Sequence, residues 1–424
     1  MKVCAFAVSA MLAGGVCAAP EITDVRIDQA DNRKVTVSYH LSEPAIVMAE
    51  FMSGGESVGD EALRDGLAGD VFTPVAAGDR SFTWRPRKSW PDHTSADFKV
   101  KLTPAAVSDP PEWMVVDLVK GGGARYYDRE SLLIGGSHSN AVYKSTHLLL
   151  KRIPAAGIPW RMGSATHAAE KYCGSRAVPH LVTLTEDFYL GVYEVTQDQV
   201  RKWNANWTFQ FSGSGDLPAE KISYEDCRGA TVGHNWPKDG HAVSDESFFG
   251  FLRNKSGQEI DFPTDAQWEY AARGGNPCLL FTGMFNYPAL DEIAWYSANS
   301  SNETGLVTHP VGLKKANPFG LYDVAGNVVE FCLDWCQDKL PPDNAVDPVG
   351  PVGSDELEDH SYSTAVTPLS GGATFVTGRI VRGGAFFWNE SFSTHAYRNY
   401  YGVKTRDQRC GLRVCAPAVL SVKE

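Results

Sequence analysis

The chain lacks the positive charge that a nucleic-acid partner demands. Lys and Arg number 39 against 51 Asp and Glu, leaving a net charge of −12 at pH 7. A phosphate backbone attracts a basic face, so nucleic-acid binding is excluded as the expected function. After the first twenty residues no apolar run approaches the ~20 residues a membrane-spanning helix needs, so no transmembrane segment is expected. Several catalytic motifs are also missing. There is no glycine-rich phosphate loop with a lysine, no G-x-G-x-x-G after a strand, no H-E-x-x-H and no nucleophile elbow. What is present is ordinary globular composition, 43% hydrophobic and 21% charged, with a length of 424 residues that suggests more than one domain. Glycine (40) and proline (24) predict many turns, and the 11% aromatic content is generous.

The first 18 residues read as a signal peptide. Lys2 supplies a short basic start, Val3 to Val16 is apolar or small apart from Ser9, and Val16-Cys17-Ala18 places small residues before a cleavage near Ala18. The run is too short for an anchor, and Gly14-Gly15-Val16 lacks the leucine that lipidation at Cys17 would need. The expected location is therefore secreted or periplasmic. Seven cysteines follow: Cys173, Cys227, Cys278, Cys332, Cys336, Cys410 and Cys415. An oxidising compartment favours disulfides, and an odd number leaves at least one thiol outside any internal pairing.

Residues 19–108 alternate with period two in short stretches, Lys34–Tyr39, Ser81–Trp84 and Asp97–Leu102, separated by turn clusters such as Ser53-Gly54-Gly55. This pattern predicts an all-β sandwich of fibronectin type III-like size. Asp109-Pro110-Pro111 opens a linker with bridging strands over 109–154, expected at Trp113–Val119 and Ser145–Ile153. Residues 155–418 form one region with few helices, and 419–424 a tail. Helix starts are signalled by Thr196 with Gln199, Thr264 with Gln267, and Ser223 with Asp226, each able to form a capping box. Short helices among many strands and loops give an α+β class.

Hard oxygen donors gather between Asn299 and Glu330. Asn299, Glu303, Asp323 and Glu330 sit in irregular, glycine-containing backbone that can turn carbonyls toward a cation, which is the chemistry calcium requires. The same residues also suit turns and caps, with Asn327 and Glu330 spaced as a capping box. His180, in an alternating stretch, reads as a strand residue. Cys332 and Cys336 lack the second Cys/His pair of a zinc finger, so a disulfide or separate packing is expected of them.

Five ordered motifs then resemble one family. They are Met162-Gly-Ser164; Gly191-Val-Tyr-Glu-Val-Thr-Gln197; Phe262-Pro-Thr-Asp-Ala-Gln-Trp-Glu-Tyr-Ala-Ala-Arg-Gly-Gly275; Asn317-Pro-Phe-Gly-Leu-Tyr-Asp-Val-Ala-Gly-Asn-Val-Val-Glu330; and Val381-Arg-Gly-Gly-Ala385 with Arg398 and Gly411-Leu-Arg-Val414. Together they resemble the formylglycine-generating enzyme (sulfatase-modifying factor) family over about 150–418. The resemblance implies a modified C-type-lectin-like fold with little regular secondary structure, and bound calcium. One calcium site would take Asn299, Ser300, Glu303 and Gly305. The other would take Asp323, Gly326, Val328 and Glu330. The family's enzymes oxidise a substrate cysteine to formylglycine with a cysteine pair that binds Cu(I), a soft ion matched to thiolate. Here the matching places fall near Glu390 and His395, and no cysteine lies between Cys336 and Cys410. Copper is therefore not expected. His395 and Arg398 are the remaining catalytic candidates, each with a structural alternative. The expected function is a secreted binding module for a peptide, glycan or protein partner, with Trp388, Tyr397, Tyr400 and Tyr401 able to stack on a ligand or simply to pack. The alternative is a sulfatase-activating oxidase with an altered site.

Overall fold

Alternation builds the first strands. In Lys34–Leu41 the residues Val35, Val37, Tyr39 and Leu41 point inward and are buried, as the period-two pleat requires. A computed structural model describes residues 19–31, 34–93, 95–164, 178–233, 236–275, 287–336, 343–350 and 378–422. Residues 1–18, read from the sequence as a signal peptide, and Cys173 and Cys278 lie outside the described residues.

Lys34–Leu41 pairs antiparallel with Ile22–Asp31 on one side and Gly78–Trp84 on the other, and Leu67–Gly69 completes the sheet. A second sheet is centred on Ala45–Ser53, which pairs with Phe98–Ala106 from Ala45↔Ala106 to Ser53↔Phe98. The two sheets share one core of Val37, Leu41, Val47, Phe51, Phe82 and Trp84. Trp84 donates its indole N–H to the Ala62 carbonyl at 3.0 Å, so its polar edge is satisfied inside that core.

The expected bridging strands form, slightly shorter than predicted. Trp113–Asp117 ends where the Asp117 carboxylate accepts from the backbone N–H groups of Val119 and Lys120, which turns the chain. His147–Ile153 pairs with it. These two strands belong to a five-stranded antiparallel sheet ordered Arg125–Tyr127, Trp113–Asp117, His147–Ile153, Phe188–Gly191, Cys415–Pro417. The C-terminal strand thus returns beside residue 188. A second sheet runs Asn399–Tyr401, Arg379–Arg382, Val329–Trp335, Cys410–Gly411, with the last pair parallel. All seven residues of Val329–Trp335 are buried, as befits a central strand covered on both faces.

Helices are few and short. Gln197–Trp203, Tyr224–Arg228 and Asp265–Ala272 each start with a complete capping box, at Thr196/Gln199, Ser223/Asp226 and Thr264/Gln267. The chain is mostly strand and loop. Among the described residues no helix is long and apolar enough to cross a membrane. The expected disulfide is not formed among the described cysteines. Cys227, Cys332, Cys336, Cys410 and Cys415 are all buried, and burial pushes the thiols of Cys227, Cys332, Cys410 and Cys415 upward, away from the reactive thiolate.

Candidate functional site

The loop before Val329–Trp335 gathers buried charge. Asp323 and Asn327 both hold left-handed backbone, at φ 56° and 57°. Gly326, at φ 85°, passes so close to Trp295 that a Cβ would lie 2.1 Å from its carbonyl oxygen. Only glycine fits there. The resulting turn points several polar groups at Glu194, which follows the Phe188–Gly191 strand. Asn327 donates to one Glu194 oxygen at 2.7 Å, and the Val328 N–H donates to the other at 3.1 Å. Asp323 accepts from the Gly312 N–H at 2.6 Å through one oxygen. Its other oxygen is buried with no hydrogen-bond partner.

Glu330 holds a different partner set. It accepts from Trp268 Nε1 at 2.6 Å and from two nitrogens of Arg413, the nearest at 2.7 Å. Arg413 also donates to the Gly191 and Tyr322 carbonyls. Three buried carboxylates, Glu194, Asp323 and Glu330, therefore face one fully buried arginine, and the half-buried Lys144 adds a second positive charge near Asp323. Burial raises Asp323 to about 6. Burial and the neighbouring charge of Asp323 push Glu194 well up. An uncompensated buried carboxylate must take either a proton or a cation. The donor chemistry suits a hard cation, since the orphaned Asp323 oxygen is a buried hard ligand. No group of three or more His, Cys, Asp or Glu side chains converges as a metal site among the described residues, so carbonyls would have to complete any shell.

The other four donors are arranged less closely. Asn299 accepts from the Tyr296 N–H through its side-chain oxygen at 2.9 Å and donates to Asp291 and the Ala294 carbonyl. The Ser300 carbonyl accepts from the Val307 N–H at 2.9 Å. Glu303 is exposed, in the hairpin between Ser301–Asn302 and Gly305–Leu306, and makes no hydrogen bond or ion pair with a described residue.

His395 and Arg398 are both placed in the interior. His395 is fully buried, and its carbonyl accepts from Arg382 at 2.6 Å. Arg398 ion-pairs with Asp265 and approaches the Met162 sulfur at 3.7 Å. They belong to a network in which Arg382 bridges Asp265 and Glu269, and Glu269 also pairs with Arg273 at 2.7 Å. Burial alone would raise Glu269. Arg273, Arg382 and Arg398 outweigh it and hold the carboxyl near 2. Asp334, which accepts from the Asp265 N–H at 2.7 Å, is pushed up to about 7 by burial and the Asp265 charge. The cavity beside Arg398 and Asp265 is about 20 Å³, room for one water and not for a substrate.

Of the four candidate stacking aromatics, Tyr397 and Tyr401 are 3% and 7% exposed and serve the core. Trp388 packs on Phe392 and Tyr397 at 5.7 and 6.0 Å with Arg409 over its ring, and it remains half-buried, as does Tyr400. Phe387, which the sequence did not single out, is 49% exposed. Nothing but position marked it, since an exposed and a buried phenylalanine look alike in a sequence.

Residues 156–418 match the family described as the sulfatase-modifying factor enzyme 1-like domain. A chaperone protein LppX from Paenibacillus barcinonensis is 33% identical over 192 residues, covering 38% of this chain and 67% of that protein. A formylglycine-generating enzyme from Thermomonospora curvata is 31% identical over 157 residues, covering 34% of this chain and 42% of the enzyme. A serine/threonine-protein kinase pkn1 from Chlamydia caviae is 32% identical over 151 residues, 35% of this chain and 23% of the kinase. The chain thus spans less than half of those last two relatives. Among solved structures, Treponema denticola variable protein 1 is 24% identical with a TM-score of 0.47, covering 64% of this chain and 96% of that one. PvdO from Pseudomonas aeruginosa is 19% identical at 0.46, covering 63% and 94%. With a family match across 156–418, well over half its length, this chain belongs to the sulfatase-modifying factor family.

Proposed function

We propose that this chain is an exported member of the family that binds a peptide, glycan or protein partner and lacks the copper–cysteine oxidase site. One observation carries the reading: no cysteine lies between Cys336 and Cys410, the interval that leads to Arg398. Univalent copper needs paired soft ligands, and a single imidazole at His395, buried in the core, is a poor substitute. The burial of the five described thiols supports the same reading. So does the chaperone name carried by one relative, which suits a protein partner. Phe387 and Trp388 offer that partner an aromatic face. The N-terminal pair of sheets, read as fibronectin type III-like, would act as spacer or adhesion module.

Calcium is the second part of the proposal. Asp323 would hold the ion through its orphaned oxygen, with the carbonyls of Gly326 and Val328. Glu330, committed to Arg413, would lend charge from behind. The ion would supply the positive charge that Glu194 and Asp323 lack, and would pin the loop.

The test is direct. The mature protein is incubated with Cu(I), oxygen and a Cys-x-Pro-x-Arg peptide, and the peptide mass is followed for conversion of cysteine to aldehyde. No conversion is expected. Conversion that depends on this chain overturns the binding reading in favour of an oxidase with an altered site.

A further inference from the structure

A cavity of about 390 Å³ opens at the edge of the five-stranded sheet, between its C-terminal strand and the start of the Asp265–Ala272 helix. It shares no residue with the Trp388–Arg398 segment, and the inference drawn from it goes beyond the function proposed above. Its volume suits a small ligand. The floor is apolar: Trp236, Phe262, Leu333 and Cys415, each no more than 6% exposed. The Cys415 thiol makes a weak polar contact across it, to the Gln267 side-chain oxygen at 3.8 Å.

The mouth carries charge of one sign. Among the described residues no lysine or arginine lines the cavity, whereas five carboxylates do. Two of the five are already matched. Asp261 pairs with Arg228 at 2.6 Å and with Arg253 at 3.2 Å, and Asp187 pairs with Arg152 at 2.8 Å. The other three make no ion pair with a described residue, although Glu259 lies within the field of Arg253. Asp347 accepts from the neutral donors of Thr185 and from no cation among the described residues. Glu186 and Glu259 are exposed and make no hydrogen bond or ion pair with a described residue. His241, the one basic group at the rim among the described residues, is already set against Asp261 at 3.0 Å.

An apolar floor under an anionic mouth selects by two criteria at once. An anion is repelled, and a small hydrated cation gains nothing from the floor. A ligand with an apolar body and one positive end satisfies both, burying its body while its charge remains at the half-wet rim. We propose that this cleft binds an organic cation: a protonated amine or guanidinium on an apolar stem.

The full chain is titrated calorimetrically with phenethylammonium at low salt, with phenethyl alcohol as the neutral isostere. Saturable binding of the ammonium ion alone is expected. The Glu186→Gln/Glu259→Gln double variant changes only exposed side chains, and it weakens the ammonium ion about fivefold. A lysine-ended tripeptide in parallel separates the sources. Tighter binding of the peptide assigns a protein side chain, and tighter binding of the free amine assigns a small molecule. Equal binding of ammonium and alcohol overturns the proposal. So does unchanged ammonium affinity in the double variant, or no binding of the ammonium ion at concentrations on the order of 10 mM.

Discussion

Glu220 gives the sharpest test of the charge reasoning, because it can be changed without changing shape. Its side chain is fully buried. One carboxylate oxygen accepts from the Gln210 and Phe211 N–H groups at 2.7 and 3.0 Å, and the other has no partner. Burial raises the carboxyl to about 7, against 4.5 for an ordinary glutamate, and the two N–H donors only partly offset this. The folded state therefore binds the proton more tightly than the unfolded chain. Its contribution is present at low pH and is lost as pH rises from about 4.5 through about 7. Between pH 5 and pH 8 the loss is about 2.5 kcal/mol at 1.36 kcal/mol per pH decade. Glu220→Gln keeps the accepting oxygen and removes the titration. Its amide nitrogen can cost a fixed amount, but that cost is the same at both pH values. The measured quantity is thus the change in the variant-minus-wild-type difference, followed by thermal melting at pH 5 and pH 8. Every other titrating group is shared and cancels. At about 2–4 °C per kcal/mol for a domain of this size, the variant should gain about 5–10 °C on the wild type between the two conditions. A difference that stays constant with pH refutes the assignment of an ionising, unpaired carboxylate at this position.

Three further outcomes follow from the same accounting. Arg413→Met strands Glu330 as a buried charge and deprives the Gly191 and Tyr322 carbonyls of their donor, so chemical denaturation should show a loss of about 3–5 kcal/mol; a loss under about 1 kcal/mol contradicts the network. Calcium at about a hundred times its dissociation constant should add about 2.7 kcal/mol, read as a higher melting temperature that excess chelator reverses and Asp323→Ala abolishes. An unchanged melt in chelator, with no metal in the purified protein, removes the calcium proposal. Thr264→Ala breaks a capping box ahead of Asp265–Ala272 and should cost about 1 kcal/mol, visible as a drop of about 2–4 °C in melting temperature.

Local rules carried the sequence reading far, and the interior charges show where they stop. Capping boxes are legible because both partners lie within four residues, and all three form. Period-two stretches are legible because the pleat repeats every second residue, and Lys34–Leu41 and Phe98–Ala106 follow it. The helix Phe248–Ser256 is not marked in the sequence reading, although Ser247 caps it and Phe248, Phe249, Leu252 and Ser256 recur at helical spacing on its buried face; Gly250 near its start, a weak helix former, interrupts the apolar run in so short a segment. Glu194 meets Asn327 across 133 residues, and Arg382 meets Asp265 across 117. No window contains both ends of such a pair. The family motifs marked most of these residues as a set without saying why. In space they prove to be one another's counter-ions: Glu269 with Arg273 and Arg382, Asp265 with Arg398, and Glu330 with Arg413 and the Trp268 indole. Motif positions that sequence reading treats as candidates for catalysis are thus required first by folding. Each buried charge needs its partner, whatever the chain binds. A family member that has lost the oxidase cysteines would keep these motifs intact, because the interior still depends on them. For that reason the motifs identify the family while leaving the chemistry open, and the proposed binding role rests instead on the Trp388–Arg398 interval, which contains no cysteine.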